Sequence, residues 1–418
     1  MCSIARQIFM PNKYKVFALG YGGIPKNFIH RGDGYRMVNS LYTSSVVHTQ
    51  IEKNQTKRTF SNINHPVPVA ARRTVSKDES REFMAVFPDL VREINEFHAL
   101  QTKQTKIVSK WFTKVLQYNV PNGKKNRGLL TVLTYKELVD KSQLTEENIR
   151  LAQYLGWCVE LLQSFLLVLD DIQDESETRR GQPCWYKLEN VGKIAINDGI
   201  MLESTIFYTL KKHFSDKSYY MDLVELFHEV IFITIIGQAL DLQTATSKSI
   251  LDFSMEKYRT LVANKTSYYT FYLPFALAMQ MAGFKDPEAF RQAKTILLEM
   301  GQFYQIQDDF LDCFGDPAIT GKVGTDIQDR KCSWLAVVCL QRCNEAQKNI
   351  MLECYGHNDP EKIERVKELY KELGLPSTYA IYEEDSYNMI KTHIQQTSRG
   401  VPHQTFIKIL DKIYQRDS

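Results

Sequence analysis

No stretch of the sequence supplies about 20 uninterrupted apolar residues, the length that a membrane-spanning helix requires. The most apolar candidate, Leu223–Leu242, is interrupted by Glu225, His228, Glu229 and Asp241. Because ionisable side chains are costly in the lipid core, the segment is predicted to be a core helix, and no membrane span is expected.

Paired cysteines and an excess of one charge are also missing. The eight cysteines include no C-x-x-C pair and no zinc-ligand spacing, which favours a reducing compartment. The formal net charge of +3 is too small to indicate a nucleic-acid partner, and none is expected. With 44% hydrophobic and 24% charged residues, the composition is that of a globular protein.

Acidic residues are scarce in the first 75 positions, where eleven lysines and arginines accompany only Asp33 and Glu52. A basic, hydroxyl-rich and acid-poor N-terminus is typical of a mitochondrial transit peptide, although a disordered tail has much the same composition. We therefore predict an extension over 1–75 and a folded domain over 76–418. The predicted location is mitochondrial, with a cytoplasmic one as the alternative.

The apolar segment Cys158–Leu169 ends in an acidic turn, Asp170–Asp174. If the segment is a helix, Asp170 and Asp174 project from one face, one turn apart, and repel each other. An acidic helix end can simply be solvated. Hard carboxylate oxygens on one face, however, also suit Mg²⁺.

The same spacing recurs at Asp308–Asp312, and cations follow both turns: Arg179 and Arg180 after the first, Lys322 and Lys331 after the second. Two acidic turns facing each other across a helical cavity would hold several Mg²⁺ ions. Those ions would in turn hold a polyanion such as a diphosphate. The recurrence therefore favours a metal–diphosphate site over a solvated helix end.

Two segments resemble the aspartate-rich regions of animal farnesyl diphosphate synthases: DDIQDESETRRGQPCWY (Asp170–Tyr186) and QIQDDFLDCFGDPAITGKVGTDIQDRKCSWL (Gln305–Leu335). The resemblance runs from about Phe83 to the C-terminus. It implies an all-α isoprenoid synthase bundle around a central cavity, where Mg²⁺ and diphosphates meet. Members of this family are usually homodimers.

The resemblance implies that six carboxylates surround three Mg²⁺ ions: Asp170, Asp171, Asp174, Asp308, Asp309 and Asp312. It also implies six residues that bind the allylic diphosphate: Arg179, Lys331, Lys265, Thr266, Gln305 and Lys322. The last four of these, from Lys265 on, are also expected to act in catalysis. Arginine suits bidentate phosphate contact, and lysine supplies a point charge. Gln238 and Asp241 resemble a family turn that lines the same cavity.

A basic turn, Asn122–Gly128, precedes a helix expected from about residue 129. Lys124 and Arg127 lie at the mouth of that helix, where the helix dipole attracts anions. The turn is similar to the GGKxxRG segment with which the family holds isopentenyl diphosphate, with Asn122 in place of the first glycine. The resemblance adds two residues to this site: Gln163 and Arg180.

Phe165 and Leu166 lie five and four residues before the first acidic turn. There they would form the floor on which the growing prenyl tail ends. One aromatic residue and one leucine suggest a floor set near C15 or somewhat deeper. Ordinary core packing is the alternative interpretation.

The main hypothesis is a trans-prenyltransferase that makes farnesyl diphosphate from isopentenyl diphosphate and dimethylallyl or geranyl diphosphate. The alternative is a terpene synthase on the same fold, and a third possibility is a catalytically silent subunit. Four departures from the family pattern fit the alternative: Leu169, Gln173, Tyr304 and Arg330. The intact cations Lys124, Arg127 and Arg180 favour the main hypothesis, because an unused isopentenyl site should lose them.

Overall fold

A computed structural model describes residues 77–99, 105–316, 324–398 and 402–414, and these residues are almost entirely helical. The α-helices are α1 (Lys77–Ala99), α2 (Thr105–Asn119), α3 (Asn126–Leu138), α4 (Glu146–Gln173), α5 (Ile194–Phe214), α6 (Tyr220–Ala245), α7 (Met255–Val262), α8 (Leu273–Met281), α9 (Pro287–Phe314), α10 (Trp334–Arg342), α11 (Glu345–Cys354), α12 (Pro360–Glu372), α13 (Leu375–Gln396) and α14 (His403–Tyr414). A π-helical segment, Ala263–Tyr272 (the π segment), joins α7 to α8. Strands β1 (Thr178–Arg179) and β2 (Gln182–Pro183) pair antiparallel. The predicted all-α fold is confirmed.

Helix α1 carries apolar side chains at helical spacing, and these pack against α4. Phe83 is buried and stacks on the Trp157 ring of α4, with centroids 4.5 Å apart. Phe97 has the same spacing but is 41% exposed, and it packs against the Tyr208 ring. The apolar pattern therefore identifies the core face of α1 except in its last turn.

Helix α4 carries the first acidic turn at its C-terminal end. The Thr145 side chain caps its start by accepting the Asn148 backbone N–H, and residues 151–165 are buried on every side. A helix that is apolar all round belongs in a core. The helix continues beyond the expected Leu169 to Gln173, so Asp174 is its C-terminal capping residue.

Helices α3 and α4 cross at two glycines. A β-carbon at Gly128 would lie 2.8 Å from the Gly156 carbonyl oxygen, and one at Gly156 would lie 2.6 Å from the Gly128 carbonyl oxygen. Both distances are too short for any side chain. The glycine pair therefore brings the first turn of α3, with its cations, directly onto α4.

Helix α6 is buried on one face only. Leu223, Phe227 and Val230 are fully buried, whereas Phe232 is 67% exposed and Ile236 is 45% exposed. The prediction of a core helix is thus wrong for the outer face, which no described element covers. Among the described helices, α6 has the length and composition to cross a membrane, a property that core helices share.

Helix α9 joins two apolar clusters. Phe303 belongs to the larger one, while Ile306 and Cys313 belong to a second cluster built with α7 and α10–α13. The second acidic turn, Asp308–Asp312, is therefore held on a helix that is anchored on both sides. The predicted extension over 1–75, its boundary at 76 and Lys322 lie outside the described residues.

Candidate active site

An ion cluster lies where α4, α6 and the π segment meet. Lys265 Nζ donates to Asp170 Oδ1 at 3.2 Å and to Asp241 Oδ2 at 2.5 Å. Lys331 Nζ donates to Asp174 Oδ2 at 2.8 Å and to Asp241 Oδ2 at 3.2 Å. The structure thus brings the outer aspartates of the first turn together with two predicted cations, through Asp241.

The cluster keeps Asp170 and Asp241 charged. Burial raises the pKa of Asp170, but Lys265, Arg179 and Lys331 lower it more, so that pKa lies below its ordinary value. The pKa of Asp241 is lowered in the same way, because Lys265 and Lys331 outweigh its burial. Burial lowers the pKa of Lys265, yet Asp170 and Asp241 raise it above its ordinary value. Charges of both signs therefore coexist at neutral pH.

Asp171 differs from its two motif partners. Its buried carboxylate accepts hydrogen bonds from Arg179 Nε at 2.9 Å and Nη2 at 2.5 Å. Arg179 Nη2 also lies 3.5 Å from Asp170 Oδ2. In this structure Asp171 orients Arg179 toward the ion cluster, and its role as a metal ligand stays a prediction.

The middle aspartate of the second turn is also engaged by protein donors. Asp309 Oδ2 accepts from Tyr258 OH at 2.7 Å and from the Trp334 backbone N–H at 2.8 Å. Its Oδ1 accepts from Gln305 Nε2 at 3.0 Å. Burial raises the pKa of Asp309 to about 6. In this structure Asp309 fastens α9 to α7 and α10 and fixes the Gln305 amide, and its role as a metal ligand stays a prediction.

Asp312 supports the loop that carries Lys331. Its Oδ2 accepts the Asp326 backbone N–H at 3.0 Å. In the same loop, burial raises the pKa of Asp329, with further increases from the carboxylates of Asp174 and Asp312 and an opposing effect of Lys331. Asp174 and Asp312 are therefore both near Asp329, so the two acidic turns face a shared region.

The predicted basic turn precedes α3, which begins three residues earlier than expected, at Asn126. Arg127 Nε donates to Thr270 Oγ1 at 3.1 Å, and its Nη2 donates to Tyr269 OH at 3.2 Å. The guanidinium carbon lies 4.8 Å from the centroid of the Tyr269 ring. Because these partners are uncharged, Arg127 keeps its positive charge available for an anion.

Arg180 packs against the backbone of the basic turn. Its Nη1 donates to the carbonyl oxygens of Asn119, at 3.4 Å, and Asn122. A β-carbon at Gly123 would lie 2.7 Å from Arg180 Nε, so the guanidinium lies against the turn backbone. Within the described ranges, Arg180 makes no ion pair with a carboxylate. Lys124 is exposed in the same turn.

Helix α4 presents a polar stripe to this turn that sequence reasoning missed. Glu160 Oε1 accepts the Gly128 backbone N–H at 2.8 Å, and Ser164 Oγ donates to the Asn119 carbonyl oxygen at 3.2 Å. The spacing of Glu160 and Ser164, four residues apart in an apolar helix, was the available signal. Gln163 is buried nearby, and its Oε1 has no hydrogen-bond partner in the described part of the chain.

The two predicted floor residues have different surroundings. Leu166 is half-buried one helical turn before Asp170, on the same face. Phe165 is fully enclosed, and a β-carbon at Gly199 of α5 would lie 3.7 Å from its ring and 3.2 Å from Leu169. Leu166 therefore lies below the ion cluster, whereas Phe165 packs between α4 and α5. The absent side chain of Gly199 makes room for Leu169, where the family usually has a small residue.

The carboxylates of the site meet the requirements of Mg²⁺ only in part. Over the described ranges, no group of three or more acidic, histidine or cysteine side chains is close enough to hold one metal ion. Asp170 and Asp174 nevertheless present carboxylate oxygens whose side chains are 20% and 18% exposed. Mg²⁺ usually binds through one or two carboxylates together with water and substrate phosphates. These residues therefore fit Mg²⁺ that binds along with a diphosphate.

Known proteins resemble this chain in sequence and fold. Residues 109–373 match the family model described as polyprenyl synthetase. The chain is 48% identical to the farnesyl pyrophosphate synthase of Nezara viridula, over 82% of this chain and 84% of that relative. It is 46% identical to the farnesyl pyrophosphate synthase of Gallus gallus, over 85% of this chain and 99% of that relative. A solved structure of the T. brucei farnesyl diphosphate synthase complexed with risedronate matches with a TM-score of 0.75 at 32% identity, covering 81% of this chain and 99% of that chain.

Proposed function

The chain belongs to the polyprenyl synthetase family, and we propose that its cavity makes farnesyl diphosphate from isopentenyl diphosphate and dimethylallyl or geranyl diphosphate. The enzyme is a Mg-dependent trans-prenyltransferase, like its farnesyl pyrophosphate synthase relatives. The observation that carries the proposal is the presence of two separate groups of cations, one in the ion cluster and one at the basic turn. The terpene synthase alternative is not favoured, because cyclisation of one prenyl diphosphate leaves the basic turn without a use.

The ion cluster is proposed to hold the allylic diphosphate. Lys265, Lys331 and Arg179 would place fixed positive charge beside the oxygens that gain negative charge as the allylic carbon–oxygen bond breaks. When bound, the three expected Mg²⁺ ions supply further positive charge and would be held by Asp170, Asp174, Asp308 and Asp312. Thr266 and Gln305 would orient the allylic chain, with the Gln305 amide fixed by Asp309.

The basic turn is proposed to hold isopentenyl diphosphate through Lys124, Arg127 and Arg180. The double bond of this substrate attacks the allylic cation and forms the new carbon–carbon bond. A proton then leaves the adjacent carbon and passes to the departing pyrophosphate. Atoms and charge balance without a side-chain base, so the residues of this site serve to bind and orient isopentenyl diphosphate.

The proposed function is tested by product analysis with the full chain, Mg²⁺ and geranyl diphosphate, with and without isopentenyl diphosphate. Farnesyl diphosphate that forms only when isopentenyl diphosphate is present supports the proposal. Hydrocarbons or alcohols formed from geranyl or farnesyl diphosphate alone, without chain extension, would overturn it in favour of a terpene synthase.

A homodimer is part of the proposal. The outer faces of α5 and α6 carry large exposed apolar side chains: Ile194, Ile196, Ile200, Phe232, Ile235 and Ile236. Large apolar side chains exposed on neighbouring helices are typical of an interface. Light scattering should give twice the chain mass for the native protein. The double variant Phe232→Asp, Ile236→Asp should shift it to the monomer mass, and an unchanged dimer would place the interface elsewhere.

A mitochondrial location remains a proposal that rests on the composition of residues 1–75. A fluorescent fusion of the full chain should colocalise with mitochondria, and the same fusion without residues 1–75 should not. Cytoplasmic fluorescence of the full-chain fusion would support the alternative.

A further inference from the structure

The helix that carries Lys265 is not a regular α-helix. Over Ala263–Tyr272 its hydrogen bonds run from residue i to i+5, and the Leu273 backbone N–H accordingly donates to the Tyr268 carbonyl oxygen. Such geometry is rare, usually lasts a single turn and is frequent at functional sites. Here it extends over ten residues, so something in the surrounding structure must stabilise it.

Gly237 of α6 contacts the backbone of the π segment on one side. A β-carbon at Gly237 would lie 2.3 Å from the Lys265 nitrogen and 2.6 Å from the Asn264 carbonyl carbon. Because these are backbone atoms, they cannot move aside as a flexible side chain could. The next residues of α6 then reach the ion cluster: Gln238 Nε2 donates to Asp170 Oδ1 at 2.9 Å, the oxygen that Lys265 also contacts.

Gly301 of α9 contacts the π segment on a second side. A β-carbon there would lie 2.4 Å from both Cβ and Oγ of Ser267. Ser267 is fully buried, and its Oγ donates to the Val262 carbonyl oxygen at 3.2 Å, five residues back. The Ser267 side chain therefore reinforces the i to i+5 pattern while it packs against Gly301.

The π segment carries groups for both substrates, about one π turn apart. Lys265 donates to Asp170 and Asp241, whereas Tyr269 and Thr270 accept from Arg127 of the basic turn. Ser267 lies between the two groups in the chain. Any displacement of Ser267 would therefore be transmitted in both directions.

We propose that Gly237, Gly301 and Ser267 are positioning residues that clamp the π segment and so set where Lys265 and the partners of Arg127 lie. The inference rests on the proposed function, because Lys265 and Arg127 are the groups that would bind the two diphosphates. Gly237 and Gly301 both lie inside regular helices, so it is the close contact with the π segment, and not a turn in the backbone, that requires glycine there.

The test adds a β-carbon at residue 301 of α9 and then removes the one at residue 267 of the π segment. Gly301→Ala should lower kcat/KM for geranyl diphosphate about 10- to 100-fold, the size expected for a misplacement near 1 Å. KM should rise for both substrates, whereas simple loss of folded protein would lower only the apparent kcat. The double variant S267G/G301A should restore part of the activity, because it removes the two nearest atoms that the new β-carbon meets and leaves the Ser267 Cα at 2.9 Å.

The matched control is S267A/G301A, which retains the β-carbon of residue 267 and should stay as impaired as Gly301→Ala. Calorimetric titration with inorganic pyrophosphate and Mg²⁺ should rank the variants in the same order without any turnover. Equal rescue by S267A and S267G, or unchanged KM values in Gly301→Ala, would overturn the clamp.

Ser267→Gly alone covers the case in which Gly301→Ala does not fold, since it adds no atoms to the contact. It should raise KM for geranyl diphosphate, and an unchanged KM would again overturn the proposal. Product analysis of the unsubstituted enzyme separates the two hypotheses. Absence of farnesyl diphosphate there contradicts the proposed function, whereas normal product with insensitive variants contradicts the clamp alone.

Discussion

In the ion cluster, proposed above as the allylic half of the cavity, Lys265 and Lys331 donate to carboxylates. At the basic turn, proposed as the isopentenyl half, Arg127 and Arg180 donate to uncharged oxygens. Both halves are proposed to bind a diphosphate, so the difference lies in how each balances charge. In the allylic half the lysines are already neutralised by Asp170, Asp174 and Asp241. A diphosphate would bind there more strongly with further positive charge, which Mg²⁺ held by the acidic turns would supply.

The isopentenyl half keeps its guanidinium groups charged. A diphosphate can replace the hydroxyl and carbonyl oxygens that these groups contact now, and it gains charge-assisted hydrogen bonds in doing so. Metal dependence should therefore be confined to the allylic half. Substitutions in the two halves should give different kinetic signatures, and the following predictions test that difference.

The largest effect is expected for Asp170→Ala. The variant should lose about 100- to 1,000-fold in kcat, because it removes a carboxylate proposed to hold Mg²⁺, which would offset the negative charge that forms on the leaving pyrophosphate. Its melting temperature should stay close to that of the unsubstituted enzyme, since Lys265 still contacts Asp241. Steady-state kinetics and thermal unfolding check both points.

The control for Asp170→Ala is Glu177→Ala, which removes an exposed carboxylate paired with Lys187 shortly after the acidic turn. Exposed pairs contribute little, so this variant should be nearly unchanged. Near-normal turnover by folded Asp170→Ala would mean that the acidic turn does not serve the reaction.

Lys124→Ala should have an intermediate effect, confined to the isopentenyl half. Loss of one charge-assisted contact, about 1.5–3 kcal/mol, corresponds to roughly a 10- to 100-fold higher KM for isopentenyl diphosphate. The KM for geranyl diphosphate should not change. Lys136→Ala, at the other end of α3, is the matched control, because Lys136 Nζ lies 3.8 Å from Glu79 Oε1, outside the basic turn. Equal increases in both KM values would contradict two independent sites.

These expectations show what the sequence could predict. The outer aspartates, the cations and α4 follow from motif spacing and from a buried run of apolar residues. Motif spacing could not predict which protein donors contact the middle aspartates, Asp171 and Asp309. Their surroundings depend on distant donors, Arg179 for one and Tyr258 with Trp334 for the other.

Two features of the fold also could not be predicted from the sequence. The π segment has an apolar pattern that does not distinguish i+5 from i+4 hydrogen bonding, and its stabilising contacts come from glycines on α6 and α9. The outer face of α6 carries Phe232, Ile235 and Ile236 as well as ionisable residues, so the apolar composition of the helix predicted more burial than the structure shows. Which face is covered depends on how the other helices pack.

Asp309→Asn should change the pH dependence of stability more than it changes catalytic activity. Burial raises the pKa of Asp309 to about 6 from an ordinary value of 3.8, so between these pH values the folded state binds more protons than the unfolded state. The contribution of Asp309 to stability is therefore fully present below pH 3.8 and is lost as pH rises through 6. The variant, which cannot ionise, should lack that decline in melting temperature. A loss of kcat as large as that of Asp170→Ala would instead make Asp309 a member of the metal site.

Leu166→Ala should have the smallest effect on rate, and its readout is product length. Leu166 is half-buried below the ion cluster, so its truncation should deepen the cavity, and a minor share of products longer than farnesyl diphosphate should appear. Phe165→Ala is the informative comparison, because that ring is enclosed between α4 and α5 near Gly199. Its removal should cost about 3–5 kcal/mol of stability through the cavity it leaves. Chromatography of the products and thermal unfolding separate the two outcomes: longer products from Phe165→Ala, with normal length from Leu166→Ala, would reverse the assignment and place the floor at the α4–α5 interface.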